Sequence, residues 1–131
     1  LHHSQLGDPR IVALLKAEPS VQYIDVQGTP EQVCREIGAC AHVISSSLHG
    51  LIVADSYGIA NTWLDPMKHA RLKYYDYAAG VGRVMPLPLR HDDIAAALPK
   101  LGTGALPYAG GIAEAKDRLI ENFPAHLKAG A

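Results

Sequence analysis

Apolar and polar positions along this chain switch repeatedly between a helical and a strand period. Ile11, Val12, Leu14 and Leu15 recur at helical spacing behind Asp8-Pro9, an N-cap followed by proline at the first helical position, and predict a helix over residues 9–18. Pro19-Ser20 breaks it. Val21-Gln22-Tyr23-Ile24-Asp25-Val26 then has the short, β-branched and aromatic character of a strand. Thr29-Pro30-Glu31-Gln32 combines an N-cap, a first-turn proline and a capping-box glutamine ahead of Val33 and Ile37, which predicts a second helix over 30–39. Residues 41–45 read as a strand. Residues 48–57 read as a helix capped by Ser46 or Ser47 and closed by Gly58, and residues 60–64 as a further strand.

Beyond Asp65-Pro66, residues 68–79 are helical in propensity and Gly80-Val81-Gly82 stops them. Pro86-Leu87-Pro88-Leu89 is extended, and His91-Asp92-Asp93 caps a short alanine-rich helix ending at Pro99. Residues 102–111, with Gly102, Gly104, Pro107, Gly110 and Gly111, form a mobile connection, and 112–128 return to helical periodicity up to the interruption at Pro124. Strands alternating with short helices indicate right-handed crossovers onto a parallel sheet. The expected class is α/β, a Rossmann-like three-layer domain with a parallel sheet, with residues 1–131 forming a single domain.

Composition narrows the picture. At 131 residues and 48% apolar, the chain supports one core. A net charge of −1 excludes the basic field that drives nucleic-acid or anionic-membrane binding, and no window approaches a membrane span. The expected location is cytoplasmic. Cys34 and Cys40 suit neither a disulfide nor a zinc knuckle, and His42, His69, His91 and His126 lack metal-ligand spacing, so no metal site is expected. The sequence opens Leu1-His2-His3-Ser4, without methionine, and reads as part of a longer protein.

The chemistry concentrates at Ser45-Ser46-Ser47-Leu48-His49-Gly50, where a strand turns into a helix. Loops at the carboxyl ends of parallel strands face the ligand crevice in α/β proteins. The new helix adds unpaired N–H groups and a partial positive charge, a setting for phosphate or carboxylate. His49 falls in the first turn beside Gly50, whose missing side chain would leave a ligand room to approach. It shares a side of the helix with Ser56 while Leu48, Leu51 and Ile52 form the apolar arc. A packed histidine bonding a nearby carbonyl is the alternative. Asp55 falls on the apolar side and needs a partner, Lys73 or a backbone amide.

The run Val43-Ile44-Ser45-Ser46-Ser47-Leu48-His49-Gly50-Leu51-Ile52-Val53-Ala54-Asp55-Ser56-Tyr57-Gly58-Ile59 resembles the hallmark of the polysaccharide pyruvyl transferase family, in which a strand ending in small polar residues leads to Leu-His-Gly and an apolar helix. The likeness spans residues 21–82. Lys73-Tyr74-Tyr75-Asp76-Tyr77 with Val81-Gly82-Arg83 is similar to the lysine-bearing helix of exopolysaccharide-type members. Ser47 stands where many members carry arginine and Ala60 where they carry proline, and the serine form resembles the succinoglycan-type branch.

The resemblance implies a GT-B-like enzyme of two Rossmann-like lobes, with this chain as the C-terminal lobe, inactive alone. The reaction implied is transfer of the enolpyruvyl part of phosphoenolpyruvate to a sugar as a ketal. The acceptor would belong to an exopolysaccharide or its lipid-linked precursor, placing the enzyme at the inner membrane. It implies no cofactor beyond phosphoenolpyruvate as co-substrate, and leaves homo-oligomerisation open. His49 is then the general acid or a donor to phosphate. Ser45, Ser46, Ser47, Leu48, Gly50, Lys73 and His3 become substrate-binding candidates, His3 because it would follow the last residue of a truncated first strand at the same crevice edge. A sugar-nucleotide glycosyltransferase lobe and a non-catalytic sugar- or partner-binding domain are the competing expectations.

Overall fold

The computed structural model describes residues 7–127. Helix α1, Pro9–Ala17, starts as its local chemistry requires: an Asp8 carboxylate oxygen accepts the Arg10 N–H at 2.9 Å. Helix α2, Pro30–Gly38, carries the full capping box, with the Thr29 hydroxyl accepting the Gln32 N–H and the Gln32 side-chain oxygen accepting the Thr29 N–H.

Strands β1, Val43–Ser45, and β2, Asn61–Trp63, pair in parallel, with Val43 opposite Asn61, Ile44 opposite Thr62 and Ser45 opposite Trp63. Helix α3, Leu48–Ser56, is the crossover between them, and Gly58, at φ 71°, turns the chain back toward β2. Leu89 bridges Leu64 in parallel past the end of β2, so the extended 86–89 stretch lies along the far edge. Side chains alternate across this small sheet. Val43 packs with Ile37 and Ala54, while Ile44 and Leu64 pack with Ile11 and Ile94. The chain is thus α/β, with helices on both faces of a parallel sheet.

The strand expected at 21–26 does not form. Among the described residues they pair with no strand, and a cavity of about 820 Å³, lined by Val21–Ile24 and by Val43–Ser45, lies between them and β1.

Helix α4, Leu72–Val81, begins later than the expected residue 68. Asp65 holds the preceding turn instead, one carboxylate oxygen accepting from the Met67 N–H at 3.0 Å and from Arg71 Nη2 at 3.1 Å. Of the three residues read as its stop, only Gly82 ends the helix, at φ 70°, while Gly80 and Val81 lie inside it. Helix α5, Ile94–Ala97, is flanked by 3-10 turns at His91–Asp93 and Leu98–Lys100. Helix α6, Ala109–Asn122, takes in Gly110 and Gly111, which the sequence assigned to a loop, and stops at Phe123 before Pro124.

The connection before α6 is pinned rather than loose. Leu106 is buried with Val81 and Ile112, and the Gly102 carbonyl accepts from His42 Nδ1 at 2.6 Å while His42 Nε2 meets the Thr62 hydroxyl at 2.9 Å. No helix among the described residues is long and apolar enough to cross a membrane.

Candidate functional site

The corner between β1 and α3 is built by Ser45. Its buried hydroxyl accepts the Ser47 N–H at 3.1 Å and donates to the Ser47 carbonyl at 3.0 Å, closing a tight side-chain turn. Gly50 exists for this turn: a Cβ there would collide with Ser45 Oγ. The space that the missing Cβ leaves at Gly50 is taken by the Ser45 hydroxyl. Ser46 is buried, and its carbonyl accepts the Tyr74 hydroxyl at 2.6 Å, which fastens the corner to α4.

Ser47 occupies the N-cap in extended geometry, but contrary to expectation its side chain makes no cap bond; its backbone N–H and carbonyl both bond the Ser45 hydroxyl instead. Within the described residues the N–H groups of His49 and Gly50 meet no acceptor, while that of Leu48 faces the Tyr74 hydroxyl. Two donors and the positive end of α3 are thus left at the corner, the arrangement that holds anions at helix starts.

His49 stands in this first turn with its residue exposed, and lines the mouth of the cavity together with Ser45, Ser47 and Gly50. The structure does not bring every candidate there. Leu48 packs against Leu51, Trp63 and Tyr74 and takes no part in the cavity wall. Lys73 is exposed on α4, its ammonium 5.3 Å above the Tyr74 ring, next in sequence to the tyrosine that anchors the corner. His3 lies outside the described residues. Among those described, no group of histidine, cysteine and carboxylate side chains could hold a metal ion.

A second polar centre sits near the other end of α3. The Asp55 side chain, 0% exposed, accepts from Asn61 Nδ2 at 2.7 Å, from the Tyr77 and Tyr108 hydroxyls at 2.8 Å each, and from Arg83 Nη1 at 3.2 Å. The expected partner, Lys73, is not among these because it faces solvent on the far side of Tyr74. Arg83 also donates to the Asn61 side-chain oxygen at 2.8 Å and stacks on the Tyr108 ring at 5.1 Å. Burial, reinforced by donation to Asp55, pushes the Tyr108 hydroxyl up to about 12 and the Tyr77 hydroxyl higher. Both tyrosines therefore remain donors at any physiological pH. The centre is closed and fully partnered, and joins α3, β2, α4 and the approach to α6. The carboxylate on an apolar helix face was the sequence signal for it; its partners left none.

His91 is also buried. Burial, with Arg10 nearby, lowers its pKa, against the opposing pull of Asp8, Asp65 and Asp92.

Residues 3–68 match the family profile described as Polysaccharide pyruvyl transferase. The uncharacterised protein L143 of Acanthamoeba polyphaga mimivirus is 37% identical over 71 residues, covering 50% of this chain and 24% of that protein. The chain spans about a quarter of that relative's length. No solved structure matches it. The matched profile runs through α1, α2, β1, the serine corner, α3 and β2, half of the sequence. The chain belongs to the polysaccharide pyruvyl transferase family.

Proposed function

We propose that this chain supplies one wall of an active site that transfers the enolpyruvyl group of phosphoenolpyruvate to a sugar as a ketal, in the biosynthesis of an exopolysaccharide. The observation that carries this reading is the exposed His49 beside the unpartnered N–H donors of His49 and Gly50 at the start of α3. Family membership gives the reaction class.

The chemistry balances with groups of this kind. A proton goes to the donor's methylene carbon, which becomes the methyl group. Two sugar hydroxyls form bonds to the adjacent carbon, whose bond to the phosphate oxygen breaks. One hydroxyl proton replaces that delivered to carbon, and the other leaves with phosphate. His49 delivers the proton or donates to the departing phosphate, and the N–H groups of His49 and Gly50 hold the phosphate or carboxylate without a basic side chain. Ser47 borders the same mouth, and Lys73 offers a cation from α4. Ser45, Ser46 and Leu48 act through position, by fixing the turn and the helix that present His49. The α/β unit is the C-terminal Rossmann-like lobe of a GT-B-like enzyme, and another lobe of the same protein closes the cleft. The enzyme works in the cytoplasm on an acceptor that is lipid-linked at the inner membrane, and needs no metal or further cofactor.

Replacing His49 by Gln in the full-length enzyme is expected to lower ketal formation by about 10²- to 10⁴-fold. Because His49 is exposed, the thermal midpoint should not move. A rate within threefold of wild type overturns the assignment. Phosphoenolpyruvate should raise the midpoint of the full-length protein; stabilisation by a sugar nucleotide instead would transfer the site to glycosyl chemistry, and stabilisation by the sugar alone, without turnover, to a binding domain.

A further inference from the structure

Residues 67–73, the turn after β2 and the start of α4, are exposed without interruption. We infer that this segment, with Tyr75, docks the full-length protein onto the headgroup layer of an anionic lipid bilayer. Met67, Leu72 and Tyr75 enter the interface, while Lys68, Arg71 and Lys73 meet lipid phosphates.

The first argument is the mixture of side chains. Met67 is 54% exposed, Leu72 78% and Tyr75 42%. Between Asp65 and Asp76 the chain carries three cations and no carboxylate. Among the described residues only Arg71 of the three is in an ion pair, with Asp65 at 3.1 Å. Apolar and cationic residues interleaved in this way complement a lipid surface of negative charge. The net charge of −1 rules out a basic field over the whole chain, but it is a sum and hides this local segregation.

Geometry gives the second argument, because these side chains form one surface. A single Asp65 oxygen accepts from the Met67 N–H and from Arg71 Nη2, which brings Met67 and Arg71 together. Leu72 and Tyr75, three apart on α4, share a side of the helix, and the Tyr75 ring stands edge-on to Trp63 at 5.6 Å. Tyr74 points the other way: it is buried, and its hydroxyl donates to the Ser46 carbonyl at 2.6 Å. The surface and the serine corner therefore lie on two sides of one residue. Docking by the first holds His49 close to the headgroups.

The third argument is cost. Met67, at φ 58°, is the one residue other than glycine in the left-handed region among those described, a conformation that strains a side chain. Arg71 at the N-cap and Lys73 in the first turn put positive charge at the positive end of the α4 dipole, with no acidic residue in that turn to offset it. None of this serves the fold. A protein partner covering the apolar residues would also have to desolvate the cations. A lipid interface takes both together, since lysine and arginine stems lie along apolar surface while their heads stay level with the phosphates.

Vesicle co-sedimentation of the full-length protein tests this. Vesicles containing phosphatidylglycerol should bind it at least about 10-fold more tightly than phosphatidylcholine vesicles, and added salt should erase the difference. Lys68→Gln should weaken that binding about fivefold and Leu72→Ser about tenfold. Both positions are exposed, so the thermal midpoint should not move. Leu72→Trp adds a direct readout: its emission, taken as the difference from wild type, should be solvent-like in the free protein and shift to the blue on anionic vesicles. Emission already shifted to the blue without vesicles would mean that another part of the protein covers the surface, and overturns the inference. Indifference to lipid charge, or binding unchanged by Lys68→Gln and Leu72→Ser, overturns it equally. These readouts need no turnover, so the inference stands apart from the transfer reaction, and His49→Gln should bind vesicles as wild type does.

Discussion

Asp55 illustrates how much one side chain can commit a molecule to. Its carboxylate was legible in the sequence as a charge on an apolar helix face that had to be partnered. Its partners were not legible, because Arg83 and Tyr108 reach it from distant parts of the chain and no local pattern announces them. Asp55→Asn keeps the shape but removes the charge facing a guanidinium that is itself only 6% exposed, and it puts an amide N–H₂ where Tyr or Arg donors now point. Breaking a buried pair from one side costs about 3–5 kcal/mol, so urea denaturation should show a loss of that size. Lys73→Met, at an exposed position, should stay within about 0.5 kcal/mol of wild type. His91 gives a second prediction. Its pKa in the fold is lowered from the ordinary 6.5 by burial and then by Arg10, so the unfolded chain binds its proton first. Its contribution is intact above pH 6.5 and is lost as the pH falls from there toward the lowered value. Thermal midpoints measured from pH 7.5 to 5 should drop more steeply for wild type than for His91→Asn; equal slopes would remove His91 as the cause.

Elements whose determinants are local matched the sequence most closely. The starts of α1 and α2 fall where Asp8-Pro9 and the Thr29 capping box place them, because caps are settled within four residues. The position of α3 was legible for the same reason, but its mechanism was not: the Ser45 side chain shapes the corner, and Gly50 answers to Ser45. Residues 21–26 show the opposite limit, since strand composition forms no strand without a neighbour. The corner carries its own test. Gly50→Ala should destabilise the protein by about 1–3 kcal/mol through overpacking. Adding Ser45→Gly removes the colliding atoms, and in a double-mutant cycle the pair should be less destabilised than the sum of the single changes. Simple additivity would mean that the two residues do not meet.

At the scale of the whole molecule, the attachment of α6 is the least readable feature. Gly110 and Gly111 looked like loop, since glycine disfavours helix interiors. Tertiary packing overrides that preference: α6 crosses α4 so closely that a Cβ on Gly111 would overlap the Val81 carbonyl, a backbone atom with little room to yield. Around this crossing Ile112 is buried with Val81 and Leu106, Tyr108 reaches Asp55, and Lys116 donates to the Ser56 carbonyl at 2.9 Å. Past it, Leu119, Ile120 and Phe123 are exposed, so the outer half of the helix adds little to its own docking. The attachment therefore hangs on the first two turns. Gly111→Ala raises helix propensity by about 1 kcal/mol and should still weaken the fold, because the steric cost of moving α6 off Val81 exceeds that gain. Limited proteolysis should cut the variant between residues 101 and 122 at protease levels that leave the wild-type segment intact, while the amides of β1 and β2 keep their exchange protection. Gly110→Ala, whose added Cβ meets nothing within 4 Å, should be as resistant as wild type or more so. If Gly111→Ala also gained resistance, propensity would outweigh contact, and the close crossing of α4 and α6 would not be what sets the position of the last helix.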